Sequence, residues 1–539
     1  MTTEFSPQMV DRFLDHHWHF HPVDATFMGD TSHDMRLPPV GAEALAQEIR
    51  DNRALFAIVA ATVEPDDAGL RLDRRMLLAE LEIQYAHALE RPRFSNPAWV
   101  TGEAAFALIS LLLPQSAPVR EDAILTRMAA LPDFLLAAGA HLALLSVPQG
   151  WRQRAIREAE AMAVFLREDL ALHPDYNPAW AASAERAASA FAAFVLAIRD
   201  LPDADPACGE TLLSQIISTQ HGLDLTPQTA LALAADAYDR LGNEMAEMAR
   251  AIDPAKTPDE ILAVLMAKGP VTIDEAFASY VYFDGEARLA AEGLVTVADD
   301  YALDYRWMAP CFRRISQSLY FLFYRSPPAL NPQKGSVYWV TSPSSDTASF
   351  LAANNPATVK AIHAVHHGSL GHHTQNARAR VAPSRLARVA GTDCALGLAF
   401  LGSGTLIEGW ACYVEDLLME TDGFYTPAEI LLLKQFERRN AASVLVDINL
   451  HLGRWSTDEA CAFYTKAGFA PARVEGEVVR NSMLPGSRLM YWLGVEGIKT
   501  LRTRWKGDTR AFHDRLLSFG HMPLAWIAEE LERAGEVVA

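Results

Sequence analysis

The sequence predicts a mainly α-helical protein in two lobes, with one small β-sheet. Three observations carry this. Residues 40–250 are rich in Ala and Leu, and apolar residues return every three to four positions, as in EALAQEIRDNRALFAIVAATV and REAEAMAVFLREDLALH, the period of amphipathic helices. Further on, helix starts are marked: Thr226-Pro227, Thr257-Pro258 with Glu260, Thr426-Pro427 with Glu429, and Ser456 with Glu459. Each hydroxyl is placed to accept an orphan N–H of a first turn, and three of the four have a Glu three residues on to return a bond. Finally, GSVYWVTSP at 335–343 sets β-branched and aromatic residues between breakers and predicts a strand. LPDADPACGE at 201–210 interrupts the helical pattern, so the expected lobes are 1–205 and 206–539. No repeat of fixed period or long linker divides the chain further.

Composition narrows the function. Against 47 basic residues stand 67 acidic ones, a net charge of −20, which repels phosphates at long range and argues against nucleic-acid and anionic-membrane partners. A small molecule or short peptide is the expected partner; the oligomeric state is left open. The five cysteines, Cys208, Cys311, Cys394, Cys412 and Cys461, are scattered and odd in number, which argues for a reducing compartment. The opening MTTEFSPQMVDRFLDHHWHF lacks the basic end and apolar run of a signal peptide. The apolar stretches 104–113 and 134–145, interrupted by Pro114 and His141, fall short of the roughly 20 residues that span a bilayer. A cytoplasmic protein is expected.

The chemistry concentrates in HAVHHGSLGHH, where His363, His366, His367, His372 and His373 fall within eleven residues of a chain with 17 histidines. Imidazole ligates transition metals at neutral pH, so the cluster suggests a metal centre. Geometry stands against a simple helix: His366 and His372 are six apart, about 240° around an ideal helix, whereas zincin ligands sit at i and i+4. Gly368, Ser369 and Gly371 between them offer a bulge or a loop that returns the second ring to the first one's face. Downstream, LIEGWACYVEDLLME puts Glu408, Cys412 and Glu415 on one helical stripe, with Glu408 just after Gly402-Ser403-Gly404-Thr405. Two imidazoles and one carboxylate leave a coordination position open for water or substrate. Glu415 is expected to orient a ligand imidazole, Cys412 to be a small buried apolar residue, and Gln375 to cap or crosslink. His16, His17, His19 and His21 also look metal-like, but with only Asp15 as a carboxylate at helical spacing they are expected on a helix surface.

HHGSLGHHTQ followed by EGWACYVEDL resembles the bacterial family called domain of unknown function 885, which is grouped with the gluzincin-type zinc metallopeptidases. The family's first motif runs His-Glu-x-x-Pro-Gly-His-His-x-Gln and its second Glu-Gly-Trp-Ala-x-Tyr-x-Glu. HPVDATFMGDTSHDMRLPP, GSVYWV, PGSRLMYWLGVEGIKTLR and FHDRLLSFGHMPLAWI extend the likeness over nearly the whole chain. The resemblance implies a gluzincin-like fold with its small sheet near an active-site cleft, and zinc on His366, His372 and Glu408. Two positions depart from the motif: His367 replaces its Glu and Leu370 its Pro.

That Glu is the general base of a zinc hydrolase, a role worth about 10²- to 10⁴-fold. His367, with a free pKa near 6.5, is the provisional base, or else a further ligand. Arg488 and Tyr491 in PGSRLMYWLG are candidates to hold a substrate carboxylate or a developing oxyanion. The expectation is therefore a zinc hydrolase of an amide or peptide bond. The alternatives are a repurposed centre holding iron(II) or another divalent metal in a two-histidine-one-carboxylate site, and a non-catalytic binding descendant.

Overall fold

The computed structural model describes residues 4–114, 120–319, 324–331, 335–341, 346–390 and 403–538. Cys394, Gly402 and the Ser342-Pro343 end of the expected strand lie outside them. The protein is mainly α-helical with a small three-stranded sheet in the order β1-β3-β2, β1 being Leu303–Trp307, β2 Tyr324–Arg325 and β3 Ser336–Val340. The strand expected from GSVYWV is β3, whose five residues are all buried. It pairs antiparallel with β2, Tyr324 opposite Tyr338 and Arg325 opposite Val337. β1 was not expected. Its LDYRW alternates half-buried with exposed residues, but five residues with two charges are a weak strand signal in a helical chain.

The chain divides into two compact units. Unit 1 comprises Met1–Pro206, Arg306–Thr341 and Pro383–Leu401, and unit 2 comprises Ala207–Tyr305, Ser342–Ala382 and Gly402–Ala539. The first division falls within LPDADPACGE, and the chain afterwards returns twice to unit 1.

In unit 1, the helices Glu121–Leu142 and Ala181–Ile198 pack together, and a Cβ on Gly139 would lie 3.3 Å from that of Ala197, so small residues set their approach. Glu121–Leu142 and the helical segment Pro178–Ile198 are long and apolar enough to cross a bilayer by length and composition. The first nevertheless carries the fully buried Arg127, which donates to Ala107 O and Thr26 Oγ1, both at 2.7 Å. Such satisfied burial of a charge belongs to the core of a folded unit.

In unit 2 the long helices Pro227–Ile252 and Pro427–His451 build the main core. Ala230, Ala234 and Ala237 form one stripe of the first and meet Ala441, Ala442, Leu445 and Ile448 of the second. The expected helix starts are all present. The Thr226 hydroxyl accepts from Thr229 N–H, and Thr257, Thr426 and Ser456 form reciprocal boxes with Glu260, Glu429 and Glu459. A cap of this kind typically contributes about 1 kcal/mol.

Candidate metal centre

The histidine segment is a helix that loosens and then breaks. Pro356 starts it under the Asn355 side-chain cap, and over Val359–His366 the turns widen into a π-helix, with His367 N–H donating to Ile362 O at 3.2 Å. At Gly368 (ψ −157) the backbone leaves helical geometry, and Asp284, from the helix Ile273–Ala290, accepts from both Ser369 N and Ser369 Oγ at 2.7 Å. A second break at Gly371 (ψ −118) precedes His372. Both glycines have negative φ, so it is room rather than handedness that requires them. A Cβ would stand 1.9 Å from Ala364 O at Gly368 and 1.8 Å from His366 O at Gly371. The wide turn and the double break thus bridge the six-residue spacing with a bulge that brings the second imidazole back to the first.

Glu408 arrives on the helix Ile407–Leu417. Its N–H donates to Gly404 O at 2.9 Å, and the preceding turn is tied by Thr405 N–H to Ser403 Oγ and by His221 Nδ1 to the same hydroxyl at 2.9 Å. Gly409 lets this helix cross Leu489–Arg504 closely, since its Cβ would lie 2.7 Å from the Gly494 backbone.

These elements bring His366, His372 and Glu408 together. Glu408 Oε2 is 3.7 Å from His366 Nε2 and 3.7 Å from His372 Nε2, and the two imidazole planes are nearly perpendicular, at 85°. Each far ring nitrogen has an acceptor: His366 Nδ1 donates to Glu415 Oε1 at 2.7 Å, and His372 Nδ1 to Gln375 Oε1 at 2.9 Å. Because a carboxylate and an amide oxygen can only accept, each Nδ1 carries a proton and each Nε2 is the nitrogen turned toward Glu408, where it presents a lone pair once deprotonated. Glu415, seven residues after Glu408, thus orients the His366 ring, and Gln375 orients that of His372. The donor set of two imidazoles, one carboxylate and their outer acceptors fits zinc or a neighbouring divalent transition metal.

The electrostatics follow from burial. Burial lowers the His366 pKa, but Cys412, Glu408 and Glu415 outweigh it and hold it well above the usual value. Burial raises the Glu408 carboxyl, yet His366, His372 and Arg480 bring it down to about 2, so it is ionised. Burial depresses His372, and it depresses His367 far below its usual range, assisted by the neighbouring histidines, so both rings are neutral at pH 7. Cys412 Sγ lies 4.0 Å from His366 Nδ1, and burial pushes its thiol up to about 12.

The His367 ring is 4.6 Å from that of His366 and 5.3 Å from that of His372, and ligand-type atoms of all three lie within 4.8 Å of one another. Both roles expected for it, base and ligand, are within its reach. His363 packs at a tilt against Tyr280, ring centroids 5.3 Å apart, and His373 Nε2 meets Tyr301 O, so these two have structural partners. Tyr491 is half-buried in the first turn of Leu489–Arg504. Arg488 is buried, with Nε donating to Asn481 and Nη2 to Glu477 at 2.8 Å, so two of its donors are committed to protein partners. Asp284 escaped the sequence reading, because nothing local links it to a serine 85 residues away.

The N-terminal histidines differ from expectation. His17 is buried and His21 mostly so, and a carboxylate does reach them, Asp24 from the next helix. Asp24 stands three residues after His21 and seven after His17, the spacing that also puts Glu408, Cys412 and Glu415 on one stripe, so this carboxylate was legible in the sequence.

The fold and the convergent triad define a mainly helical protein with a buried two-histidine-one-carboxylate cluster. The chain belongs to the family described as bacterial protein of unknown function (DUF885), which matches residues 22–531. Among curated proteins none matches. Two solved structures share the fold. One, described as a "putative lipoprotein of unknown function" from Shewanella oneidensis, has a TM-score of 0.77 at 18% identity over 97% of this chain and 99% of its own. The other, described as a "putative lipoprotein" from Colwellia psychrerythraea, has a TM-score of 0.80 at 16% identity over 98% of this chain and 99% of its own.

These neighbours correct the expectation of a cytoplasmic protein: both are described as lipoproteins, which are membrane-anchored. Cysteine usage was a poor guide, since a chain with a core this large needs no disulfides in any compartment. Among the described residues Cys208, Cys311, Cys412 and Cys461 take part in no disulfide.

Proposed function

We propose that this protein is a metal-dependent hydrolase of an amide or peptide bond in a small or short-peptide substrate. His366 Nε2, His372 Nε2 and the Glu408 carboxylate are its metal ligands. One observation carries the reading: Glu408 Oε2 is equidistant, at 3.7 Å, from two imidazole nitrogens whose opposite sides are each held by an acceptor. Zinc, when bound, supplies Lewis acidity toward a substrate carbonyl and toward water. Glu415 and Gln375 hold the ligand tautomers, and Glu408 brings a negative charge that a bound cation neutralises in place of the proton on His366.

His367 is assigned as the general base. Its neutral ring accepts a proton from the attacking water and passes it to the leaving nitrogen. Tyr491 is assigned as the hydroxyl donor to the developing oxyanion. Arg488, bound to Glu477 and Asn481, supports the helix that carries it.

The test is zinc content of the purified chain, followed by amine release from a panel of dipeptides and N-acyl amino acids. One zinc lost in His366→Ala, together with metal-dependent hydrolysis, is the expected result; unchanged metal content in that variant rejects the site. The His367 replacement favours one second reading, a centre for iron(II) and oxygen. Oxygen uptake by anaerobically purified protein tests it, and no iron with no uptake ends it.

A further inference from the structure

A second convergence of ligand-type atoms lies in unit 1. The helix Pro7–Phe20 ends in HHWHF, and its C-cap His21 donates its N–H to His17 O at 2.8 Å, which keeps the two histidines one turn apart on one face. After Pro22 the helix Pro22–Met28 folds back, and Asp24 in its first turn reaches both rings. Asp24 Oδ2 is 3.6 Å from His17 Nε2 and 3.8 Å from His21 Nδ1, nearly the spacing of the histidine–Glu408 cluster. A tetrahedral zinc ion with bonds of about 2.0–2.1 Å separates its ligand atoms by about 3.4 Å, so small movements close this triad. Outer partners are present too. Glu48 Oε1 is 3.7 Å from His21 Nε2, and the Gln84 amide, whose oxygen and nitrogen exchange by a flip, is 3.2 Å from His17 Nδ1.

The surroundings are rich in buried carboxyl groups. Asp24, Glu80 and Glu103 are buried and Glu48 partly so, and desolvation raises Glu103 to about 7 and raises Glu48. Arg93 partly answers them, donating to Glu103, to Phe20 O at 3.5 Å and to His21 Nδ1 at 2.5 Å. An ion at His21 Nδ1 competes with that last bond alone, and Glu103 and the Phe94 ring keep the guanidinium in place when it yields. The imidazoles stack in parallel at 4.2 Å, and a turn about the soft χ2 torsion aims both lone pairs at one point.

We propose that His17, His21 and Asp24 form a second divalent transition-metal site, which clips the first two helices of unit 1 together. It is independent of the hydrolase reading.

The test is zinc binding by the full chain carrying His366→Ala and His372→Ala, measured by equilibrium dialysis. One equivalent retained, with affinity falling at least tenfold on adding Asp24→Asn, is expected. His17→Gln gives the same loss should Asp24→Asn not fold. Arg93→Met removes the competitor and tightens binding several-fold. No zinc in the His366/His372 double variant, or zinc indifferent to both Asp24→Asn and His17→Gln, overturns the proposal. The hydrolase reading is judged separately, by the equivalent lost in His366→Ala alone.

Discussion

Gly371→Ala tests how the fold assembles the candidate centre. An added Cβ would lie 1.8 Å from His366 O and 2.6 Å from Val365 O, where about 3.0 Å is the shortest separation real Cβ atoms adopt. The difference, 3.0 − 1.8, is 1.2 Å of forced movement at a carbonyl belonging to one ligand residue, by a residue adjacent to the other. Overpacking of this kind costs about 1–3 kcal/mol. Where that cost falls on the metal-bound geometry, zinc affinity, measured by competition with a chromophoric chelator, is expected to fall about 5- to 150-fold, with a lowered melting temperature. Gly476→Ala is the control: nothing lies within 4 Å of its Cβ, and alanine in a helix interior gains about 0.5–1 kcal/mol over glycine. Wild-type zinc affinity in Gly371→Ala would refute the argument that the bulge positions the ligands.

Three further predictions follow from the same geometry. Glu415→Ala removes the acceptor at His366 Nδ1 and should weaken metal binding about 10- to 100-fold while Glu408 remains, read by the same chelator competition. His367→Ala should lower kcat by about 10²- to 10⁴-fold at unchanged metal content if the ring is the base, whereas lost metal would mark it as a ligand. His221, buried between Ser403 Oγ and Gly486 O, has its pKa lowered to about 4 by desolvation, against 6.5 when unfolded. For a group depressed on folding, the stabilisation is complete above the unfolded value and is lost as pH falls from 6.5 through 4, a span worth about 3 kcal/mol at 1.36 kcal/mol per unit. Urea midpoints between pH 7 and pH 5 should therefore fall more steeply for the wild type than for His221→Gln, and parallel curves would count against the assignment.

The legible parts of this protein are those whose partners are near in sequence. Thr257 with Glu260, Thr426 with Glu429 and Ser456 with Glu459 close their bonds within three residues, so the helix starts could be read directly. The stripe Glu408–Cys412–Glu415 follows from helical period, and β3 from its run of β-branched and aromatic residues. Arg488 shows the opposite case: its fork suggested an anion site, and only the packed structure shows two of its donors bound to Glu477 and Asn481.

The sequence by itself determined a mainly helical chain, the histidines and carboxylates of a candidate metal centre, and two glycines where a six-residue spacing had to be bridged. The tertiary structure decided where the turns break and what the ligands face. Asp284 holds Ser369 from 85 residues away, and Glu415 reaches back 49 residues to His366. The physical reason is that a cap or an amphipathic period is fixed by bonds a few residues long. A convergence of side chains instead depends on close approach between distant backbones, on buried charges finding partners, and on steric room that leaves no local mark beyond a glycine.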